Sequence, residues 1–446
     1  MSCAPARLLT WFVAAALGAF LTAAIVSADP VSIDPLAGTA TPKQSQEITD
    51  GVNRFKNGDI EGALKLFKQA ASKNSDLPPG QLVLASLFSQ ANQAPAARIW
   101  LEKTVIDEPN DPESYVLMGD LAIRERRVTE ASMLFAKADE LLKAFDKSDK
   151  RKKILVQRVL SGLAAVAEAR DDWKTAQKYL EAWVKAEPES ANALQRLGRA
   201  LFQEKKADVA LKQLRTAAKY DSNMLTPEAI VAQWYESTGD RENATKMMTE
   251  ALNNAPNDLR TRLAAAGWAL QTEQFEDALN QVNSALQLDP NSLEAKILRG
   301  NVAMCQKDFK NAELQFESAV LQSPFNFAAS NNLALALAEQ DDEAKKRRAL
   351  EYAQVNVQRY PKQPESHSTL GWVLFRLGRL DEAERSLQTS VSSGVASADT
   401  AYYLARVAAE RGNKEVALKL VEGALQSKGL FTYRKEAQNL LNSLKK

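Results

Sequence analysis

Residues 293–324 read LEAKILRGNVAMCQKDFKNAELQFESAVLQSP, and two stretches of helical spacing follow one another in them. In the first half, apolar or small residues lie about one helical turn apart, at Leu293, Ile297, Gly300 and Met304. The second half has a similar face, formed by Ala312, Phe316, Ala319 and Val320. Lys307 and Asp308 separate the halves, and Pro324 ends the second, because proline disfavours helix in the residue before it. The stretch therefore predicts a helix, a short turn and a second helix.

The alanine at position 312 has counterparts along most of the chain. Eight of the ten gaps between successive copies are 34 residues, and the other two are 45 and 37 residues. These repeat alanines are Ala63, Ala97, Ala131, Ala176, Ala210, Ala244, Ala278, Ala312, Ala349, Ala383 and Ala417. Self-similarity at a fixed interval of this length is typical of a solenoid of stacked repeats.

Two further positions keep register with the repeat alanine. Glycine or alanine stands twelve residues before it, at Gly51, Ala85, Gly119, Ala164, Gly198, Ala232, Ala266, Gly300, Gly371 and Ala405. A large apolar residue stands four residues after it, at Phe67, Leu101, Phe135, Leu180, Leu214, Met248, Val282, Phe316, Leu387 and Val421. Glycine inside a helix costs ~1 kcal/mol relative to alanine, so its recurrence predicts a close crossing of the two helices. Proline follows twelve residues after the alanine in six repeats, at Pro109, Pro188, Pro256, Pro290, Pro324 and Pro361.

This pattern resembles the tetratricopeptide repeat, a helix-turn-helix unit with small residues at the helix crossing and a closing proline. The resemblance covers about residues 44–430, as eleven repeats. It implies an all-α fold, a right-handed superhelical α-solenoid whose concave face is lined by the first helices of the repeats. The aromatic residue that the family has near the start of the first helix is mostly absent, with Tyr115 the best match.

Two insertions and a tail interrupt or follow the repeats. Repeats 1–3 are predicted over residues 44–142 and repeats 4–11 over 157–430. A basic insertion at 143–156 extends the third repeat, and we expect the array to divide there. Three extra residues within 341–348 are expected to lengthen a turn of the ninth repeat. Residues 431–446 are predicted to form a polar-backed capping helix, which an open array needs for solubility.

The first 28 residues differ from the rest. Arg7 is the only charged side chain before Asp29, and residues 8–26 are almost entirely apolar. Small residues at 26–28 fit a cleavage site, so a secretory signal peptide is predicted, with an uncleaved membrane anchor as the alternative. Residues 29–43 are expected to be a flexible linker. Either alternative predicts an exported array, located in the periplasm, at the cell envelope or in the medium.

The composition offers little for catalysis. Lysine and arginine number 57 against 56 acidic residues, which gives no reason to expect nucleic acid or an acidic lipid surface as a partner. His367 is the single histidine, and Cys305 is the only cysteine after residue 28. Metal sites need clustered ligands, and nothing around His367 is typical of an activated nucleophile. We therefore predict no enzyme, no metal and no cofactor, and membrane contact only through an uncleaved N-terminal segment.

Basic runs occur at Lys150–Lys153 and at Lys345–Arg348. A solvated helix or loop surface is the expected role of both. Binding of a phosphate or a lipid headgroup is the alternative, and acidic residues beside each run argue against it.

Partner contacts are expected on first-helix positions that point away from the small-residue crossing. In the middle repeats these are Gln195, Arg199, Gln233, Asn301 and Asn331. Towards the C-terminus they are Trp372, Phe375, Arg376, Tyr402 and Arg406. Amides and arginine can bind an extended peptide backbone, and exposed aromatic residues can anchor it. Packing between repeats is the alternative role of the aromatic residues.

The favoured function is a non-catalytic scaffold of the cell envelope that binds a protein or peptide in the groove. Residues 370–374 and 378–383 resemble repeats common in bacterial surface-polysaccharide and exosortase-linked proteins. The alternatives are an accessory subunit of a polysaccharide-export or secretion system, and a glycan- or lipid-binding module.

Overall fold

The computed structural model describes residues 45–446 other than Ser393 and Val395. The predictions of a signal peptide or anchor at 1–28 and of a linker at 29–43 lie outside the described residues. The described residues form 23 helices and no strand. The first eleven helices are α1 (Gln46–Lys56), α2 (Ile60–Lys73), α3 (Gly80–Gln90), α4 (Ala94–Asp107), α5 (Pro112–Arg124), α6 (Val128–Ala144), α7 (Asp149–Glu168), α8 (Trp173–Ala186), α9 (Ala191–Gln203), α10 (Ala207–Ala217) and α11 (Pro227–Ser237). The others are α12 (Arg241–Asn254), α13 (Leu259–Gln271), α14 (Phe275–Leu288), α15 (Leu293–Cys305), α16 (Phe309–Gln322), α17 (Phe327–Ala338), α18 (Glu343–Arg359), α19 (Pro364–Arg376), α20 (Leu380–Ser390), α21 (Ala398–Glu410), α22 (Lys414–Leu425) and α23 (Arg434–Leu444).

Helices α1–α22 form eleven helix-turn-helix repeats, so the predicted all-α solenoid of eleven repeats is confirmed. Odd-numbered helices are the first helices of the repeats, and even-numbered helices are the second. The described residues divide between Trp234 and Tyr235 into two compact blocks, 45–234 and 235–446. The boundary lies within α11, and not at the basic insertion where we expected the array to divide.

The predicted close crossing is present in the repeats of both blocks. A Cβ atom built on Gly300 would overlap the ring of Phe316, the large residue four positions after Ala312. The same holds for Gly51 against Phe67 and for Gly119 against Phe135. Every repeat with phenylalanine at the large position thus has glycine at the small one. The phenylalanine ring fills the space that a side chain on the first helix would need. A phenylalanine at the large position therefore requires a glycine at the small position.

The turn inside a repeat has a left-handed residue five positions before the repeat alanine. Glycine occupies it in four repeats, as at Gly378 (φ 75°). Six other repeats place Asn92, Arg126, Asp171, Lys205, Glu273 and Lys307 there, with φ between 56° and 64°. In several repeats the next residue caps the second helix; the side chain of Asp308, for example, accepts the backbone N–H of Asn311. The left-handed residue lets the chain reverse direction within a short turn. The two helices of a repeat therefore begin their contact close to the turn.

Both insertions are absorbed mainly by helices. Around the first, α6 is 17 residues long and α7 is 20, against 14 for most second helices and 13 for many first helices. In the ninth repeat, α18 begins at Glu343 and is 17 residues long, while the turn before it is four residues, 339–342. The expectation of a longer turn was therefore mainly wrong, because the extra residues extend the second helix.

The predicted capping helix begins later than expected. Helix α23 starts at Arg434, and residues 426–433 form a non-helical connection from α22. Phe431 and Tyr433 in this connection are each 3% exposed. Leu440, Leu441 and Leu444 of α23 pack against the apolar core of the last repeats. Across the described part of the chain, no helix combines the length and apolar character that a membrane span requires.

Candidate functional site

The ten predicted partner-binding residues all lie on first helices. The block 45–234 contains Gln195 and Arg199 on α9 and Gln233 on α11. The block 235–446 contains Asn301 on α15, Asn331 on α17, three residues on α19 and two on α21. The structure brings the last five together, and it leaves the others apart from that cluster.

In the block 45–234, the predicted residues are accessible. Arg199 is exposed, and Gln195 and Gln233 are partly exposed. The guanidinium carbon of Arg199 lies 5.7 Å from the centre of the Trp173 ring, which begins α8. Within the described residues, the side-chain amides of Gln195 and Gln233 have no hydrogen-bond partner. These groups can therefore donate to and accept from the backbone of a bound segment.

The two asparagines of the other block are already engaged or covered. Asn301 Oδ1 accepts a hydrogen bond of 2.8 Å from Asn332 Nδ2. Asn331 is only 6% exposed, and its Oδ1 has no hydrogen-bond partner among the described residues. The expectation that Asn331 is an exposed groove residue was therefore wrong, because neighbouring helices cover it.

Trp372 and Tyr402 are buried as well, at 2% and 1% exposure, which corrects the expectation that they line an open surface. The Trp372 ring stacks between Phe375 and Tyr403, with centroid distances of 5.1 and 4.3 Å. The ring of Tyr402 stacks on that of Tyr433 at 5.3 Å. Part of the cover is thus contributed by a residue that lies beyond the eleventh repeat.

Glu339 links these aromatic residues to one another. It follows α17, and its side chain is 7% exposed. Its Oε1 accepts hydrogen bonds from Trp372 Nε1 at 2.6 Å and from the Tyr433 hydroxyl at 2.7 Å. Its Oε2 lies 3.1 Å from Nη1 of Arg376. One buried carboxylate therefore holds two of the predicted residues and the tail in a single arrangement.

Residues 428–436, which we call the closing segment, contact several repeats in turn. Lys307 Nζ donates to the carbonyl oxygen of Thr432 at 2.9 Å and lies 4.1 Å from the centre of the Tyr433 ring. It also pairs with Glu436 at 2.8 Å. Arg434 Nε lies 3.2 Å from Oε1 of Glu273. Glu273 and Lys307 are the left-handed turn residues of two successive repeats, and their side chains reach the same segment.

The remaining two predicted residues also face this cluster. Arg406 donates to the Tyr402 hydroxyl at 3.1 Å, and its guanidinium carbon lies 5.3 Å from the centre of the Phe375 ring. Both residues are partly exposed, so they mark the edge of the cluster that solvent still reaches.

Two titratable groups lie under the closing segment. Burial raises the pKa of Asp399 to about 6, although hydrogen bonds from Tyr433 and Thr432 and the charge of Lys307 act in the opposite direction. Burial, with a smaller effect from the charge of Asp399, raises the pKa of the Cys305 thiol to about 12. The thiol is therefore protonated at neutral pH and is a poor nucleophile.

His367 and the residues described in the two basic runs contact neighbouring groups of the repeats. Nε2 of the partly exposed His367 lies 3.3 Å from the carbonyl oxygen of Pro361. In the first basic run, Arg151 is buried and pairs with Asp111 and Glu113 at 2.9 and 2.7 Å. In the second, Lys345, Lys346 and Arg348 pair with nearby carboxylates. Among the described residues, no group of three or more histidine, cysteine or acidic side chains could hold a metal ion.

Sequence reasoning missed Glu339 and the closing segment. Glu339 could have been identified from the sequence. When the three-residue insertion is allowed for, it has the same repeat position as Arg376. Phe431 and Tyr433 follow the last repeat, so periodicity offers no signal for them. The helical spacing of Tyr433, Ala437 and Leu440 predicts only a place on the apolar side of the capping helix.

Several solved structures are similar to this chain. Yeast Tom70 is 13% identical with a TM-score of 0.38, and the match covers 90% of this chain and 95% of that chain. A thermophilic TPR protein of Thermus thermophilus is 18% identical with a TM-score of 0.37, covering 42% of this chain and 98% of that chain. A tetratricopeptide repeat protein from Parabacteroides merdae is 15% identical with a TM-score of 0.38, covering 65% and 99%.

Sequence comparisons match the repeats directly. One family model described as a tetratricopeptide repeat matches residues 162–223, 263–323, 297–364 and 368–429. A second model with the same description matches residues 54–121. A search of curated proteins found no significant match.

Proposed function

The chain belongs to the tetratricopeptide repeat family, and from this premise we propose that it is a non-catalytic scaffold that binds an extended segment of a partner protein. Repeats of this family support a role in protein interaction. The finer proposal is that the first helices of the block 45–234 form the open binding surface.

The predicted residues in the block 45–234 have side-chain polar groups that are available to a ligand. The amides of Gln195 and Gln233 have no hydrogen-bond partner among the described residues, and Arg199 is exposed beside the Trp173 ring. Amides supply both donors and acceptors for a peptide backbone, and arginine beside an aromatic ring is a frequent binding hot spot. An extended segment lying across α9 and α11 would satisfy these groups.

Site-specific crosslinking tests the proposal. A photo-reactive residue replaces Gln195 in one variant and the exposed Lys212 of the second helix α10 in a matched control. We expect a defined partner to be crosslinked from position 195 and not from 212, and to be lost when Arg199→Ala is added. Equal crosslinking from both positions, or capture that Arg199→Ala leaves unchanged, would contradict the proposed surface.

We extend the proposal to location, with the scaffold acting in the cell envelope after export. The support is the apolar run at 8–26 followed by small residues at 26–28. The N-terminal sequence of the protein purified from its source tests this. A chain that begins at Asp29 indicates cleavage, retention of residues 1–28 in the membrane fraction indicates an anchor, and an intact soluble chain in the cytoplasm would contradict export.

A further inference from the structure

Residues 431–434 are held in the manner of a bound ligand. Phe431, Tyr433 and Arg434 each contact side chains of the repeats, and these contacts reach from Glu273 of the seventh repeat to Tyr402 of the eleventh. Five successive repeats thus contact four consecutive residues. A cap that only covered the apolar end of the last repeat would need none of the contacts with Glu273, Lys307 and Glu339.

The chemistry of the contacts is specific. Two aromatic rings pack on Tyr402, and the Tyr433 hydroxyl finds a buried carboxylate at Glu339. A basic side chain then meets the carboxylate of Glu273. The carbonyl oxygen of Thr432 is bound by Lys307. The Thr432 hydroxyl donates to Oδ2 of Asp399 at 3.3 Å. The site therefore recognises an aromatic residue, a threonine, a tyrosine and a basic residue in that order.

The geometry points to a second binding surface, which the chain fills with its own closing segment. We infer that a partner segment with the pattern aromatic residue, threonine, tyrosine, basic residue binds there by displacing residues 431–434. This inference rests on the proposed function, since it also treats the first-helix side of the repeats as a binding face. It concerns the block 235–446 alone.

The closing segment competes with a free partner segment because it is covalently attached to the repeats. A tethered segment has an effective concentration in the millimolar range, so a free segment of the same chemistry binds the intact protein weakly. Weakening the tethered contacts removes this competition, and the apparent affinity for the free segment rises.

A peptide-binding experiment tests this directly. A fluorescent peptide with the sequence of residues 427–436, SKGLFTYRKE, is titrated into the wild-type chain and into the double variant Phe431→Ala/Tyr433→Ala. We expect at least about tenfold tighter binding by the double variant. A control peptide with both aromatic residues replaced by alanine should bind neither protein. Equal affinity of SKGLFTYRKE for the two proteins, or binding of the control peptide, would overturn the inference.

A milder variant covers the case in which the double variant does not fold. Tyr433→Phe removes one hydroxyl and should give an affinity for SKGLFTYRKE between those of the wild type and a fully released site. If this variant keeps native helicity and binds no better than the wild type, the inference fails. Exchange of the closing segment between two copies, seen as a concentration-dependent dimer of the wild type, would also overturn it. None of these failures affects partner capture through residues 45–234.

Discussion

The hydroxyl of Tyr433 donates a hydrogen bond of 2.7 Å to Oε1 of Glu339, a residue 94 positions earlier in the chain. The carboxylate is almost completely buried, and Trp372 Nε1 donates to the same oxygen. A buried charge needs such donors, because an unsatisfied carboxylate loses its hydration without compensation. The bond therefore ties the position of the tail to the packing of the ninth and tenth repeats.

We expect Tyr433→Phe to destabilise the block 235–446 by about 1.5–3 kcal/mol, the usual contribution of a hydrogen bond to a charged group. The change keeps the ring and its stacking on Tyr402, so the effect reports the hydroxyl. Thermal and urea unfolding followed by circular dichroism measure it. Tyr220→Phe, at a half-exposed tyrosine, is the matched control and should leave the midpoint unchanged. Equal midpoints for the two variants would show that the hydroxyl adds nothing.

Two glycine substitutions test the helix crossing. Gly300→Ala should cost about 1–3 kcal/mol, because the new methyl group overlaps the Phe316 ring. Gly267→Ala, inside α13 with open space around the new Cβ, should stabilise the fold by about 0.5–1 kcal/mol. Unfolding midpoints of the two variants should therefore shift in opposite directions. A rise for both would mean that position 300 is not closely packed.

The buried arginine of the first basic run should be structurally essential. Arg151→Ala removes the partner of Asp111 and Glu113, whose side chains are 0% and 7% exposed. Breaking a buried pair in this way costs about 3–5 kcal/mol, since the remaining charges stay buried. Lys153→Ala, two residues on and exposed, should change stability by less than about 0.5 kcal/mol. Similar effects of both substitutions on thermal unfolding would argue for an unstructured insertion.

Asp399 should make stability depend on pH. Its pKa in the folded protein is about 6, against an ordinary value of 3.8, so the folded state binds this proton more tightly than the unfolded state. Stability therefore falls as pH rises from about 4 to about 6, by on the order of 3 kcal/mol if Asp399 acts alone. Lys307, Cys305, Tyr403 and Tyr433 are the ionisable groups that face it. Urea unfolding at a series of pH values measures this dependence, and Asp399→Asn should flatten it between about pH 4 and about pH 6. If the free energy of unfolding of variant and wild type changes in parallel with pH, Asp399 is not its cause.

The repeats were predictable from sequence because their packing is local and recurrent. Each repeat has a buried alanine, such as Ala278, and a small residue twelve positions earlier. The same packing therefore produces the same sequence pattern in each repeat. The turn was less visible, since its left-handed position is glycine in only four repeats. Extension of helices by the insertions was missed, because a charged run such as 345–348 reads equally well as a turn or as a helix surface.

The site was predictable only in part. First-helix positions were correctly placed by counting, but counting cannot tell an open position from a covered one. Trp372 and Tyr402 are covered by Tyr403, Phe431 and Tyr433, and the last two follow the final repeat. Such a contact depends on where a non-repeating tail returns to the repeats. No periodicity encodes that path.

The rate at which Cys305 is alkylated measures most directly whether the closing segment occupies its site. The Cys305 side chain is only partly exposed, and desolvation raises the pKa of its thiol to about 12. We predict slow reaction of the wild type with iodoacetamide, because the thiol is protonated at neutral pH. Reaction should be at least about tenfold faster in Phe431→Ala/Tyr433→Ala, because opening removes the remaining cover of the partly exposed thiol and lowers its pKa. Peptide mapping by mass spectrometry separates Cys305 from Cys3. Equal rates at Cys305 in wild type and in a natively helical variant would contradict the account.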